Sequence, residues 1–189
     1  MPNSSTGGYL LPTSATPLDD SALDHYFHDV FTAILGFDAT LIRPRWQVDP
    51  ANMPANGVNW IAQGVTNRRD DDVASQVLSV DGLSTTVSRN QELDNLVSFY
   101  GPGASGVEAL LRDGLSLDQN REAMNLTGLV LVRVGEPRNA SMLVNERWVK
   151  RIDCIVTFRR LISRVYSVQS LLSAQTTLIT AQVTETIIN

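Results

Sequence analysis

The sequence has little of several features that mark whole classes of protein. It contains one cysteine, Cys154, so no disulfide can form within the chain, which fits a reducing compartment. No apolar run approaches the ~20 residues that a membrane-spanning helix needs. Residues 1–14 lack a basic stretch followed by an apolar one, so we expect no signal peptide. A net charge of −5 argues against a dedicated nucleic-acid binder, which needs a basic surface.

What is present is the composition of an ordinary globular chain. Apolar residues make up 43% and charged residues 19% of the 189 residues, which suits one domain with a hydrophobic core. We predict an α/β (α+β) fold, in which a mixed, mostly antiparallel sheet is flanked by two or three helices. The domain should span residues 18–169, between an extended N-terminal arm (1–17) and an extended C-terminal arm or strand (170–189).

Hydrophobic periodicity predicts the individual elements. An amphipathic helix should span residues 20–35, with N-cap candidates at Asp19, Asp20 and Ser21 and an end at Gly36. Shorter helices are predicted near residues 107–112 and 117–124. Strands are predicted at residues 41–47, 59–65, 76–80, 85–100, 129–134 and 147–165, with loops at 49–57 and 66–72.

The strand predicted at residues 147–165 carries the first candidate interface. Its alternation predicts a core face made of Trp148, Ile152, Cys154, Val156 and Phe158. The other face carries Arg147, Arg151, Asp153, Thr157 and Arg159 and should meet solvent or a partner. We take Arg147, Arg151, Asp153 and Arg159 as candidate contact residues, and expect the arginines to meet an acidic surface of a neighbouring subunit. The tryptophans Trp46, Trp60 and Trp148 are predicted to belong to the core.

The charges are unevenly spread along the chain. Residues 133–164 hold eight basic and three acidic side chains, a net of +5, so the rest of the chain carries −10. One interpretation is that one surface is basic and another acidic, which suits head-to-tail contact between identical subunits. The other is that the charges scatter over the fold. Sequence leaves both open, because charge patterning is a weak guide to surfaces.

Both ends of the chain are nearly uncharged. Residues 1–17 contain no charged side chain and show neither helical nor strand periodicity. Residues 170–189 are rich in Thr, Ile, Leu and Val, with Glu185 as their one charge, so they have strand propensity and an exposed apolar character. Strand addition to a neighbour through Leu178, Val183 and Ile187 is favoured slightly over a last strand of the chain's own sheet. We expect both ends to become ordered on assembly.

Few motifs in the sequence could carry chemistry. Residues 101–106 match G-x-G-x-x-G after a strand and before a helix, which is the context of a dinucleotide site, but the preceding strand is half polar and Asp118 begins a helix. His25 and His28 lie with Asp24 and Asp29 on a helix face that is more typical of solvent contact than of a metal site. Cys154 is predicted to be an inert core thiol. No catalytic residue, cofactor or metal site is predicted.

Several segments resemble one known family. They are Gly8-Tyr9-Leu10-Leu11-Pro12, Pro17-Leu18-Asp19-Asp20, Arg43-Pro44-Arg45-Trp46-Gln47, Ser98-Phe99-Tyr100-Gly101-Pro102, Leu111-Arg112-Asp113-Gly114, Gln119-Asn120-Arg121-Glu122, Val134-Gly135-Glu136-Pro137 and Val144-Asn145-Glu146-Arg147-Trp148-Val149. Together, over roughly residues 8–172, they resemble the neck or tail terminator proteins of tailed bacteriophages, chiefly those with contractile tails.

The resemblance implies a structural virion protein and no enzyme. It implies a homo-oligomer, expected to be a hexameric ring, at the head-proximal end of the tail, with synthesis in the bacterial host cytoplasm. Such a ring stops growth of the tail tube and often of the sheath, joins the tail to collar or head-completion proteins, and leaves a channel through which DNA passes without sequence-specific contact. No membrane partner is expected. The alternatives are a head-completion or collar protein in a twelve-fold ring, and a small nucleotide-binding enzyme.

Overall fold

The computed structural model describes residues 8–46, 53–55, 57–144 and 146–168. The helices of these residues are α1 (Asp20–Leu35), α2 (Ala104–Ser116) and α3 (Asp118–Leu126), with a 3-10 turn at Ala39–Leu41. The strands are β1 (Ile42–Pro44), β2 (Trp60–Asp70), β3 (Ser75–Leu78), β4 (Ser84–Tyr100), β5 (Leu129–Val134), β6 (Arg138–Asn139), β7 (Met142–Val144), β8 (Arg147–Val149) and β9 (Arg151–Ser167).

One sheet organises the domain. Its strands lie in the order β1-β2-β4-β9-β5, with β3 added to β4 and β6 added to β9. The two 17-residue strands β4 and β9 pair along their whole length, from Ser84 opposite Ser167 to Tyr100 opposite Arg151. Only β1 and β2 run parallel among the described pairs of this sheet. The predicted mixed, mostly antiparallel α+β architecture is confirmed.

The helices pack on one face of the sheet and form the core with it. Helix α1 buries Leu23, Phe27, Phe31 and Leu35, which repeat every four residues and so form one stripe. The ring of Phe27 lies 4.8 Å from that of Phe158 on β9. Each such fully buried side chain contributes about 1.5–3 kcal/mol relative to an exposed one. The predicted core positions Ile152, Cys154, Val156 and Phe158 are all buried, which confirms that face of β9.

Helix α1 begins and ends close to the predicted positions, but its first residue is not capped as expected. Gly36 takes a left-handed conformation (φ +62°) and its amide donates to the Thr32 carbonyl, as a C-terminal glycine does. Asp19 occupies the N-cap position without making a capping bond. Its carboxylate instead accepts hydrogen bonds from Arg160 and Arg68, so it joins the helix start to the sheet.

The prediction of a loop at residues 66–72 is wrong for residues 66–70, which belong to a strand. Strand β2 continues to Asp70 and pairs with β4 after a bulge between Val65 and Asn67. The side chains of Asn67 and Asp70 bond to Asp94 and Gln91 of β4. A polar run becomes a strand here because a long partner strand supplies both backbone and side-chain partners, which overrides local loop propensity.

The strand predicted at residues 147–165 is two strands. Strand β8 pairs with β7 in a separate two-stranded hairpin, and β9 begins at Arg151. Arg147 and Trp148 therefore do not lie on the long strand, and Trp148 is 75% exposed. The prediction that Trp148 and Trp46 are core residues is wrong, since both are exposed. The third tryptophan, Trp60, is half-buried and stacks on Tyr100 with ring centres 4.1 Å apart.

The described part of the predicted N-terminal arm lies along the end of β9. The Thr13 amide donates to the Val165 carbonyl at 2.7 Å, and the Val165 amide donates to Ser14 Oγ at 3.1 Å. Pro12 forms a bridge with Tyr166. Residues 12–14 thus supply an edge partner to a part of β9 that β5 does not reach. The predicted C-terminal arm, with Leu178, Val183 and Ile187, lies outside the described residues.

Candidate assembly surfaces

The glycine-rich segment at residues 101–106 is a tight turn filled by the chain itself. Gly101 has φ +104°, and a Cβ there would lie 2.6 Å from the Val58 carbonyl oxygen. The Gly103 amide, which a pyrophosphate would need, donates to Asn59 Oδ1 at 2.8 Å. The preceding strand β4 is antiparallel to its described neighbours, whereas a dinucleotide fold places this turn after a parallel strand. The geometry argues against nucleotide binding.

The other candidate chemical groups are held in local structural contacts. His28 bonds Asp29 through Nδ1 and the Ala39 carbonyl through Nε2, each at 3.0 Å. No group of three or more His, Cys, Asp or Glu side chains converges as a metal site within the described residues. Cys154 is buried, and its thiol donates to the Gly135 carbonyl at 3.3 Å. Burial raises the pKa of this thiol, which favours its protonated form. The predicted place of Cys154 in the core is confirmed.

The sheet face opposite the helices is rich in arginine and has no helix on it among the described elements. We call it the open sheet face. Among the described residues it carries seven arginines and four carboxylates, a net of +3. These residues are Arg43, Arg45, Arg69, Arg133, Arg138, Arg151, Arg159, Glu92, Asp94, Glu136 and Asp153.

Ion pairs within the chain hold several of these side chains in place. Arg151 donates two hydrogen bonds to the Asp153 carboxylate, at 2.7 and 2.8 Å, and Arg159 donates one to Glu92 at 2.5 Å. Three predicted contact residues, Arg151, Asp153 and Arg159, therefore lie together on the open sheet face but already have partners in their own chain. Arg147 lies apart from them on β8.

Asp94 forms the acidic centre of the open sheet face. It accepts hydrogen bonds from Thr157 at 2.7 Å, from Asn67 at 3.1 Å and from Arg69 at 3.3 Å. Partial burial alone would raise the pKa of Asp94, but these bonds and the charges of Arg69 and Arg133 outweigh it and hold the pKa below its ordinary value. The lowered pKa favours the ionised carboxylate, which bonds Arg69 directly.

The helix layer carries the opposite charge. Helices α1, α2 and α3 hold seven carboxylates and two arginines, a net of −5. These residues are Asp20, Asp24, Asp29, Glu108, Asp113, Asp118, Glu122, Arg112 and Arg121. The two layers of the domain thus differ in sign, which favours the interpretation of one basic and one acidic surface over a scatter of charges.

Two concave sites accompany this charge separation. One is an apolar groove of about 320 Å³ beside the β7–β8 hairpin, lined by Met53, Val58, Trp60, Pro102, Trp148 and Val149, with Arg147 and Lys150 at its rim. The other is a depression of about 580 Å³ on the open sheet face. Its floor contains Leu96 and Ile155, which are paired across β4 and β9, and its rim carries Arg133, Arg138, Glu136 and Asp153. Sequence reasoning missed both, because each combines residues from distant segments.

Charged faces and apolar concavities on a small two-layer domain are surface features that protein assembly uses. None of its described helices is long and apolar enough to cross a membrane. Residues 23–186 match the family described as phage neck terminator protein, and the chain belongs to this family. A search of curated proteins gives no match. The match runs from inside α1 past the end of β9, and it confirms the resemblance noted from the sequence: the chain is a structural protein of the phage neck.

Proposed function

We propose that this protein forms the ring that closes the head-proximal end of a phage tail. Six copies would cap the tail tube, stop growth of tube and sheath, and join the tail to collar or head-completion proteins. The ring would leave a central channel through which DNA passes without sequence-specific contact. The protein would be made in the host cytoplasm and built into the virion, in a phage with a contractile tail.

The observation that carries this proposal is family membership combined with two faces of opposite charge on one domain. A ring of identical subunits needs a heterologous contact, in which one surface of each copy meets a different surface of the next. The open sheet face (+3) and the helix layer (−5) provide two such unlike surfaces on opposite sides of one domain. Electrostatic complementarity of this kind sets the orientation and rate of association.

Electron microscopy of lysates from a phage with this gene disabled tests the function. We expect tails of uneven or excessive length, with normal length restored when the gene is supplied from a plasmid. Tails of normal length that lie apart from filled heads would contradict termination. They would indicate that the protein joins the tail to the neck. Intact infectious particles would refute both roles.

Ring symmetry gives an independent test of the same proposal. Class averages of isolated rings should show six-fold symmetry, and native mass spectrometry should give six times the 20.7 kDa subunit mass. Twelve-fold rings would contradict the hexameric cap and favour a collar protein. A rise in melting temperature on adding a saturating dinucleotide would contradict the structural role, because only a bound ligand stabilises the folded state in this way.

A further inference from the structure

The depression on the open sheet face leaves an apolar pair partly uncovered in the middle of a charged surface. Ile155 is 42% exposed, and Leu96, directly opposite it, is partly exposed. Arg133 and Arg138 stand at the rim. Arg138 lies on the short strand β6 and makes no ion pair with any described residue. The rim also carries Glu136 and Asp153, and Asp153 pairs with Arg151, so Arg133 and Arg138 exceed the one remaining carboxylate by a single positive charge. An apolar floor with such a rim fits an apolar ridge that carries one negative charge.

Helix α2 presents such a ridge on its outer side. Leu110 and Asp113 are three residues apart on α2, so they lie on one side of the helix, and Leu117 is the extended C-cap residue that follows its last turn. The core is on the other side, where α2 buries Val107, Leu111 and Leu115. Leu110 is 49% and Leu117 is 60% exposed, and Asp113 is exposed between them. We call Leu110, Asp113 and Leu117 the α2 ridge.

The position of Asp113 is unfavourable for the isolated subunit. It stands in the last turn of α2, where the negative end of the helix dipole disfavours a carboxylate. It makes no ion pair with any described residue. An exposed acidic residue at a helix C-terminus, between two exposed leucines, is better explained by a contact outside the subunit than by folding.

We propose that the α2 ridge of one subunit docks into the sheet-face depression of the next subunit. The ridge leucines then cover Leu96 and Ile155, and Asp113 meets Arg133 and Arg138. This inference rests on the proposed ring, and it names the two surfaces that build it. Both halves of the contact are on one chain and do not overlap, so each copy can offer its ridge to one neighbour and its depression to the other, as ring closure requires.

The chemistry of the depression favours a protein ridge over DNA as its occupant. Its rim includes the carboxylates of Glu136 and Asp153, which repel phosphate. Asp153 also forms an ion pair with Arg151, so this arginine is already neutralised within the chain. Its floor is aliphatic, without the exposed aromatic rings on which bases stack. The second copy of the chain supplies the missing negative charge and apolar area together.

A charge swap tests the contact in the purified protein. Arg138→Glu and Asp113→Arg each place like charges across the interface, so each should weaken ring assembly by at least about tenfold. The double variant restores an opposite-charge pair and should assemble within about threefold of the wild type. The matched control combines Arg138→Glu with Glu122→Arg, which makes the same kind of charge reversal at an exposed position on α3 outside the ridge. Ring assembly of this control should stay as weak as that of Arg138→Glu alone. Mass photometry over a dilution series measures assembly, and circular dichroism checks folding.

Cysteine pairs test the same contact inside assembled tails, where ring formation does not depend on the isolated protein. Leu117→Cys with Ile155→Cys should give an oxidation ladder of multimers up to six chains, whereas each single variant should not. Absence of both the ladder and the swap rescue would overturn the proposed contact. Unchanged assembly with weaker retention of duplex DNA by Arg138→Glu would overturn it as well and assign the face to DNA. The gene disruption separates this contact from the proposed function. Overlong tails without the ladder and the rescue would keep the terminator function and reject the contact. Tails of normal length with a rescued ring would keep the contact and reject the function.

Discussion

Arg160 ties the segment before α1 to the centre of the sheet, and its replacement tests how the two are held together. Its side chain is 7% exposed. Its guanidinium donates to Gln91 Oε1 at 2.8 Å, to Asp19 Oδ1 at 2.5 Å and to the Leu18 carbonyl. One side chain on β9 therefore satisfies a buried amide, a helix-start carboxylate and a backbone carbonyl.

The expected cost of Arg160→Met follows from these three partners. Methionine keeps the aliphatic stem but donates no hydrogen bond, so Gln91 loses a partner in a buried site and the Leu18 carbonyl loses one in a partly buried site. A neutral hydrogen bond contributes about 0.5–1.5 kcal/mol net, and one to a charged group about 1.5–3 kcal/mol. Asp19 is a quarter exposed and regains water, which reduces its share. We expect a loss of about 2–3 kcal/mol in the free energy of unfolding.

Urea denaturation measures this loss against a neighbouring control. With a slope of about 2 kcal/mol per molar urea for a domain of this size, the midpoint should fall by roughly 1–1.5 M. Arg159→Met removes the next arginine along β9, which is half exposed and pairs with Glu92 on the open sheet face. Its midpoint should change far less, because exposed ion pairs contribute little. Equal midpoints for the two variants would refute the reasoning that the buried position of Arg160 decides its contribution.

Three further predictions concern other parts of the domain. Gly101→Ala should destabilise by about 1–3 kcal/mol in urea denaturation, because of the positive φ and the nearby carbonyl, whereas Gly106→Ala, in open space on α2, should be neutral or stabilising by up to about 1 kcal/mol. The pKa of Asp94 lies below its ordinary value of 3.8. Its contribution to the free energy of unfolding is therefore complete above about pH 5 and is lost as the pH falls through the lower folded-state pKa. Urea midpoints of Asp94→Asn, measured over a pH series, should lack this loss. Trp148→Ala should leave the melting temperature of the subunit nearly unchanged, and Trp60→Ala should lower it, because the first side chain is exposed and the second is stacked; a reversed order would contradict the placement of the β7–β8 hairpin.

The elements with strong periodicity could be predicted from the sequence. The helix at Asp20–Leu35 and the strand at Leu129–Val134 have the predicted bounds, because a helical apolar period and a short apolar run are both local properties of the chain. The family resemblance was equally readable, since it depends on local motifs. The break between β8 and β9 was not predicted, although Lys150 interrupts the apolar side of the alternation between Trp148 and Ile152, because alternation does not show where pairing partners change.

Sequence by itself determined the fold class, the amphipathic faces of α1 and β9, and the family, all of which depend on residues close together in the chain. Only the tertiary structure decided that the charges separate between the open sheet face and the helix layer, and that Leu96 meets Ile155 in a depression beside Arg138. It also decided that Arg160 binds Asp19 across 141 positions of sequence. The physical reason is that periodicity shows which side of a helix or strand is apolar. Which side chains meet on the polar side depends on how distant strands pair.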